Sequence, residues 1–600
     1  MGMDRNQVIG IILLVAMFIG WTMWSSTKEN ATLGSNVTDT TQVQAPVALE
    51  NSEDLKATVD TNAENTVSRP EAKTLTISTK ELEVVLSSEG GKIKQVTLLN
   101  WTDYKNDTLI LMDEKSANYR LFGDTKKSGD VDLMASLYST EATSTVVKEG
   151  DSTLVKFSYR TDSGALIEQI YTFKGTGYTI GYQLLIDGFS KEFASGDLKW
   201  KWEGKMKRFE KSFKDSEQLC TINYFDVDKD FDDIGTGNSD EELDVDLKWF
   251  SLKQRFFNIG FITEDRFKKA RFETVVLRDD SNHVNTVSAE VLIPTNGDAY
   301  KGNFLFFFGP NDIPVVAAVT EGYENNVYLG WPIFSVINRW VVIPIFNFLE
   351  GYTHNYGLII FILVIIIKML LFPIAYRSYL SMAKMKVLKP ELDEIKEKLN
   401  GDQQKFQLES MALYREVGVN PLSGCIPVVL QMPILLALFR FFPSAIHLRH
   451  ESFLWANDLS TYDDIISWGF ELPLIGMSHL SIFTLLMTAS QIVYTYYNNQ
   501  INVQANNQMK YIGYVMPVMF LFILNSFSSG LTYYYFISNL ITITQQLVAT
   551  KFIDKEKLKV VMDANRKKKA TEAKAGASKK SGFQQRLEEA MKAQQEKRKQ

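Results

Sequence analysis

The 600-residue sequence contains only two cysteines, Cys220 and Cys425. The first lies in the polar half of the chain and the second lies in an apolar tract, so we expect no bridge between them. This scarcity excludes a disulfide framework and a CxxC metal site. Basic residues are also fewer than acidic ones, which gives a net charge of −7. An acidic total argues against nucleic acid as the principal partner.

Catalytic signatures are missing as well. The polar half contains no GxSxG, HExxH, P-loop or Gly-rich dinucleotide motif, and no ATP-binding motif appears elsewhere. His447, His450 and Glu451 have metal-ligand spacing, but they lie in a short loop without a fourth partner, which favours a surface role. We therefore predict a protein that is not an enzyme and that has no metal and no cofactor.

Charge is absent from the first segment between Asn6 and Thr27, with Arg5 preceding it. A cleaved signal peptide is one interpretation. The apolar run is longer than a usual signal core, however, and no A-x-A-like cleavage site follows Trp24. Residues 1–27 are therefore predicted to be an uncleaved membrane anchor with its N-terminus inside.

Aromatic residues are almost absent from residues 28–72, which are rich in Asn, Thr, Ser and Ala. Such a composition cannot bury enough surface to fold, so this segment is predicted to be a flexible tether. From 73 to 330, short runs of alternating polar and apolar residues are separated by glycine-containing turns. This pattern is typical of an all-β sandwich, which we interpret as a scaffold or binding domain.

Residues 331–352 mix Trp and Phe with polar side chains, and Pro344 divides the segment into two short pieces. We predict an amphipathic helix lying along the membrane interface. A soluble helix packed under the β-domain is the alternative.

Long charge-free tracts then predict a core of five transmembrane helices within residues 353–550. Residues 511–550 contain no charge over forty positions, so NSFSSG at 525–530 is read as a turn between two helices. The predicted spans are about 355–373, 422–442, 473–497 and the two halves of 511–550. Residues 376–418 form a helical hairpin outside the bilayer, because apolar residues recur there at helical spacing.

The distribution of charge orients these spans. Residues 377–389 carry four cations and no acids, whereas the loop 443–472 carries one cation and five acids. The tail 551–600 has 16 Lys and Arg against 7 Asp and Glu. The positive-inside rule places the hairpin and the basic tail in the cytoplasm and the β-domain on the outer face.

Polar residues within the spans share helix faces, and Lys368 lies among them in IIFILVIIIKMLLFP. They form interhelical hydrogen bonds, or they line a wet groove with Lys368 as its cation. Lys368 could instead snorkel to the cytoplasmic surface past Pro373, and Arg440 is expected to snorkel outward. The predicted groove lining consists of Gln431, Thr484, Thr488, Gln491, Thr532, Tyr535, Asn539 and Thr542.

Several long motifs resemble one family. SMAKMKVLKP (381–390), MALYREVGVNPLSGCIPVVLQMPILLALF (411–439) and FSSGLTYYYFISNLITITQQ (527–546) are similar to the YidC membrane protein insertase family, which is related to the Oxa and Alb insertases. MDRN, SSEGGKIKQVTLLNW (87–101), KWFSLKQRFF (248–257) and FFFGPND (306–312) resemble its Gram-negative form with a large periplasmic domain. The resemblance covers nearly the whole chain apart from the tether and the distal tail.

This resemblance implies a periplasmic β-supersandwich and a multi-pass protein of the inner membrane with both termini in the cytoplasm. It implies insertion of nascent membrane proteins, alone or beside the Sec translocon, through a hydrophilic groove. The positive residue of that groove is usually arginine in the family, and Lys368 occupies the matching position without arginine's planar fork.

Expected partners are nascent membrane proteins, the Sec translocon, anionic lipids and the ribosome, which the basic tail and the hairpin would contact. A solute or ion transporter that uses Lys368 as its binding-site cation is the alternative, although no internal repeat supports it. An outer-face receptor would leave the polar membrane faces unexplained.

Overall fold

The computed structural model describes residues 71–574 except 128, 236, 296, 400–401, 420–425, 471–476 and 502–506. The chain divides into two compact units, Met1–Asn326 and Val327–Gln600. The predicted anchor, nearly all of the tether and the end of the basic tail lie outside the described residues.

The described part of the first unit is built from β-strands. Its strands are β1 (Thr74–Ser78), β2 (Leu82–Ser87), β3 (Lys92–Thr102), β4 (Thr108–Met112), β5 (Ala117–Thr125), β6 (Gly129–Asp132), β7 (Thr145–Val146), β8 (Ser152–Arg160), β9 (Leu166–Lys174), β10 (Thr179–Asp187), β11 (Phe193–Lys207), β12 (Thr221–Asp226), β13 (Phe231–Ile234), β14 (Ser239–Leu243), β15 (Leu247–Lys253), β16 (Phe257–Val276), β17 (His283–Pro294) and β18 (Ala299–Pro310). Short helices connect them at Leu133–Ala135, Phe189–Glu192, Phe213–Gln218, Ile313–Ala317 and Tyr323–Asn326.

Two sheets organise these strands. The smaller has the order β4-β3-β2-β1-β7, and the larger follows β6-β5-β11-β17-β16-β18-β10-β9-β8 with β12 to β15 attached beside it. Neighbours are antiparallel except β1 and the two-residue β7. The long strand β16 pairs with β15 and β18 in its first half and with β14 and β17 in its second. The predicted all-β sandwich architecture is confirmed.

Period-2 alternation fills the core of this unit. Strand β9 alternates half-buried and buried residues, as a strand with one inward face requires. Large aromatic rings meet there, with Tyr119 stacked on Trp200 at 4.9 Å and on Trp202 at 5.3 Å between centroids. Cys220 is buried, and burial raises the pKa of its thiol to about 12, which makes it unreactive.

The second unit is helical. Its helices are α1 (Pro332–Glu350), α2 (Tyr356–Lys398), α3 (Gln403–Val417), α4 (Ile426–Ser444), α5 (Ile482–Ile501), α6 (Asn507–Leu524), α7 (Ser529–Phe552) and α8 (Lys555–Lys574). A 3₁₀ turn (Ile446–Leu448) and a small hairpin of β19 (Ile466–Ser467) and β20 (His479–Leu480) lie between α4 and α5. Among the described residues, α1 and α2 are long and apolar enough to cross a membrane.

Pro344 does not divide α1 into two pieces, so that expectation is wrong. A π-helical turn, Asn338–Val342, precedes the proline, and the Ile343 N–H donates to the Asn338 carbonyl. Proline lacks a backbone N–H, and its ring crowds the preceding turn. The wider π-helical turn, whose hydrogen bonds join residues five apart, accommodates both effects. Helix α1 therefore continues to Glu350.

Helix α2 joins the first predicted span to the first arm of the hairpin. It runs for 43 residues with Pro373 and Pro390 inside it, and is about 65 Å long at 1.5 Å per residue. The predicted apolar seam of the hairpin is buried, and residues of α3 and α8 pack against it. This cluster contains Met382, Met385, Leu388, Leu392, Leu413, Val417 and Met562.

Helix α5 begins at Ile482, later than the predicted 473. Ser481 Oγ accepts a hydrogen bond from the Thr484 N–H at 3.1 Å, and Asp463 Oδ2 accepts from the Ile482 N–H at 2.7 Å. Both oxygens satisfy N–H groups that a helix start leaves unpaired. The 511–550 tract contains two helices, α6 and α7, as its length predicts.

Candidate functional site

Lys368 of α2 lies inside the helical unit, where α2, α4 and α7 meet. Lys368 is only 5 % exposed. One turn and two turns before it, Val364 and Ile360 pack in the apolar core that α2 forms with α4 and α7. The face of α2 that carries Lys368 is thus the face that packs inward. The Lys368 side chain therefore lies inside the helical bundle.

Two uncharged side-chain oxygens accept hydrogen bonds from the Lys368 amine. Its Nζ donates to Gln431 Oε1 on α4 at 2.9 Å and to Thr542 Oγ1 on α7 at 2.7 Å. The side chain therefore points between helices rather than along α2 toward the cytoplasmic surface. A single amine links three helices.

A further residue connects the two acceptors. Gln431 Nε2 donates to Ser538 Oγ at 3.0 Å, and Thr542 Oγ1 donates to the Ser538 carbonyl at 2.7 Å. We call Lys368, Gln431, Ser538 and Thr542 the Lys368 cluster. Ser538 is fully buried.

The other predicted lining residues lie outside this cluster. Asn539 Nδ2 donates to Ser490 Oγ at 3.0 Å and so ties α7 to α5. Thr484 and Thr488 bond near the start of α5, and Thr532 bonds to carbonyls at the start of α7. Gln491 and Tyr535 are half-buried. Of the predicted lining residues, Gln431 and Thr542 contact Lys368. Among the others, Asn539, Thr484, Thr488 and Thr532 bond within their own helix or to another helix.

Some polar partners were not predicted. Ser538 is the main one, and Ser490 and Gln545 are others, with Gln545 Nε2 at 3.5 Å from the Lys368 carbonyl. Ser538 precedes Thr542 by four residues and thus shares its helix face. That spacing was the signal available in the sequence.

A buried carboxylate, that of Asp463, lies at the start of α5. Asp463 accepts hydrogen bonds from Trp455 Nε1 at 3.1 Å, from the N–H groups of Ile482 and Phe483, and from Ser481 Oγ. We call these five residues the Asp463 clasp. Its carboxylate lies at a helix N-terminus, where the helix dipole favours negative charge.

His447, His450 and Glu451 are the residues whose spacing resembles that of metal ligands. Among the described residues, no group of three or more His, Cys, Asp or Glu is arranged to hold a metal ion. His447 Nδ1 lies 3.0 Å from Glu350 Oε1, which also accepts from Tyr356 Oη at 2.6 Å. Arg440 lies over the Tyr328 ring at 5.3 Å.

Comparisons with known proteins cover nearly the whole chain. Residues 74–346 match the family model described as YidC periplasmic domain, and residues 348–556 match the model described as 60Kd inner membrane protein. Proteins named membrane protein insertase YidC are 38 % identical in Amoebophilus asiaticus, over 98 % of this chain and 99 % of the relative, and 40 % identical in Cytophaga hutchinsonii, over 98 % of both. The chain belongs to the YidC membrane protein insertase family.

The boundary between the two YidC family matches falls within α1. The periplasmic model covers the β-sheets, and the inner membrane model covers α2 to α7, including the entire Lys368 cluster. A YidC relative from Porphyromonas gingivalis is 31 % identical over all of both chains. Among solved structures, a putative aldose 1-epimerase from Escherichia coli K12 matches 40 % of this chain and 100 % of its own, with 10 % identity and a TM-score of 0.26.

Proposed function

We propose that this protein inserts newly made proteins into the inner membrane, and that Lys368 is the groove cation that receives their polar segments. The observation that carries the proposal is the amine of Lys368, held inside the helical unit by the oxygens of Gln431 and Thr542. Among the side chains that the structure describes, both of its hydrogen-bonded partners are uncharged. The charge is thus left to attract an acidic group of a substrate.

The physical task is to move a polar segment across about 30 Å of hydrocarbon. In this proposal a polar notch at the Lys368 cluster, between α2, α4 and α7, shortens the apolar path. With no ATP-binding motif, the free energy comes from transfer of the substrate's apolar helix into lipid. The membrane potential adds about 2.3 kcal/mol per elementary charge per 100 mV for acidic residues that cross.

The proposed topology follows the charge distribution, with both termini in the cytoplasm and the β-domain in the periplasm. Helix α1 carries exposed Trp340 and Phe348, flanked by exposed Trp331 and Tyr352, which suits the membrane interface. The hairpin of α2 and α3 and the basic tail would meet the ribosome or anionic lipid, and the Sec translocon would act beside the protein. No catalytic step is part of this proposal.

Reconstitution in liposomes tests the role of the cation. Lys368→Ala, Lys368→Glu and Lys368→Arg would be compared on a substrate with an acidic translocated segment. We expect about a tenfold loss for alanine, corresponding to about 1.4 kcal/mol, a larger loss for glutamate, and substantial retention for arginine. Lys386→Ala is the matched control, because Lys386 is exposed on the same helix. Full insertion by the glutamate variant would overturn the proposal.

A further inference from the structure

We propose that Ser538 is a positioning residue that orients both hydrogen-bond acceptors of Lys368. The inference rests on the proposed function, because it assigns a role within the same site. Ser538 is fully buried on α7 and bonds to Gln431 and to Thr542.

The first part of the argument concerns the amide of Gln431. A glutamine side chain can turn either its oxygen or its NH₂ group toward a neighbour, and a lysine ammonium can only donate. Because Gln431 Nε2 donates to Ser538 Oγ at 3.0 Å, Oε1 is left facing Lys368 Nζ at 2.9 Å. Without the Ser538 hydroxyl, Nε2 loses the acceptor that this contact provides, and of the two contacts only that with Lys368 still holds the amide in this orientation.

The second part concerns the hydroxyl of Thr542. A threonine hydroxyl has one proton, and Thr542 donates it to the Ser538 carbonyl at 2.7 Å. Its lone pairs are therefore free to accept from Lys368 at 2.7 Å. Two atoms of one residue, a side-chain oxygen and a backbone oxygen, thus set the polarity of both acceptors.

The consequence for insertion is a cation held in a fixed place. A lysine stem has many rotamers, and an ammonium that is free to rotate loses conformational freedom each time it meets a substrate. Lys368 has three donors, and the described side chains accept two of them. The remaining donor can be directed at an acidic group of the incoming chain once that group enters the site.

The test uses Ser538→Ala in the full-length protein with two substrates that differ only in Glu-to-Gln changes of the translocated segment. This variant removes the hydroxyl but keeps the backbone carbonyl that orients Thr542. We expect a three- to tenfold loss of insertion for the acidic substrate and little change for the neutral one. In a Lys368→Gln background, Ser538→Ala is expected to have no further effect.

Two other variants keep the result interpretable. Gln431→Met removes the same oriented oxygen at similar volume, so it should reproduce the loss for the acidic substrate even where Ser538→Ala folds poorly. Thr544→Ala is the control, because within the described part of the chain the exposed Thr544 hydroxyl bonds only to the Leu540 carbonyl of its own helix. A variant Ser538→Thr, which retains the hydroxyl, should restore the preference for the acidic substrate.

Several outcomes would overturn the inference. One is an equal loss for both substrates, which would indicate a structural role. Another is a loss that persists without Lys368. If Lys368 variants impair insertion while Ser538→Ala and Gln431→Met leave the acidic preference intact, only the positioning role fails. If Lys368→Glu inserts normally, the proposed function itself fails.

Discussion

The helical unit buries charged residues of both signs, among them Asp463 near the start of α5 and Lys368 between α2, α4 and α7. Both are nearly inaccessible, with 3 % and 5 % of their surface exposed. Their surroundings differ, however, in the number and kind of hydrogen-bond partners that face the charge. That difference separates a charge that holds the fold together from a charge that is available for function.

Asp463 is surrounded by donors. Two backbone N–H groups of α5, the Trp455 indole and the Ser481 hydroxyl all point at its two oxygens. A carboxylate bound in this way is stabilised by several charge-assisted hydrogen bonds and by the helix dipole. Little of its charge is left to act on a third group.

Lys368 is held by one amide oxygen and one hydroxyl oxygen. Neutral acceptors compensate an ammonium less than a carboxylate would, because they carry only partial charge. The structure therefore fixes the position of the amine, and neither of the described side chains that bind it is a carboxylate. This is the arrangement expected of a site that has to attract an acidic segment.

The largest predicted effect concerns stability. Asp463→Ala leaves the donors of the Asp463 clasp unsatisfied and should lower the free energy of unfolding by about 3 kcal/mol, because each hydrogen bond to a charge contributes about 1.5–3 kcal/mol. Lys368→Met should change it by no more than about 1 kcal/mol, since replacing a buried ion by an apolar residue is often neutral. Thermal melts of both variants in detergent would measure the contrast. A loss for Lys368→Met as large as that for Asp463→Ala would remove the distinction between the two charges.

An effect of intermediate size on insertion should distinguish the Lys368 cluster from the start of α5. Thr542→Val removes an acceptor from Lys368, and at about 1 kcal/mol for a hydrogen bond we expect about a fivefold slower insertion of an acidic substrate. Thr484→Val removes bonds to Ser481 and to the Leu524 carbonyl. It should lower the melting temperature and leave the ratio of acidic to neutral substrate unchanged. Equal changes of that ratio in the two variants would contradict the comparison.

Much of this site could be predicted from the sequence because its signals are local. A lysine in an apolar span and threonines at helical spacing predict that Lys368 and Thr542 face the interior, and a family resemblance indicates the same lysine. Ser538 shares the helix face of Thr542 by its spacing of four, but that spacing does not reveal its partner on another helix. Serine is common in apolar helices, and its role here depends on a glutamine of another helix, 107 residues away in sequence.

The bounds of helices were missed for a similar reason. Hydropathy placed the start of the third span near 473, whereas α5 begins where Asp463 and Ser481 satisfy its first N–H groups. Asp463 comes from a loop well before the helix, so a local pattern does not contain it. Prolines caused the opposite error, because they predict a helix break where none occurs. Pro344 and Pro373 lie inside continuous helices.

The smallest effect is expected for a charge at the surface of the same unit. Arg566 Nη2 of α8 lies 2.7 Å from Glu391 Oε2 of α2, and Arg566 Nε lies 3.2 Å from Glu416 Oε1 of α3. These contacts hold the first part of the predicted tail against the hairpin. All three side chains are partly exposed, so Arg566→Ala should cost about 0.5–1 kcal/mol.

Hydrogen exchange of α8 at low and high salt measures this contribution. Salt screens exposed pairs, so the difference between Arg566→Ala and the unchanged protein should shrink as salt is raised. Lys557→Ala is the matched control, because Lys557 pairs only with Asp554 of its own segment at 3.7 Å among the ion pairs described. A salt-independent loss, or one as large as that of Asp463→Ala, would place Arg566 with the buried charges. Solvent exposure would then fail to rank the three sites.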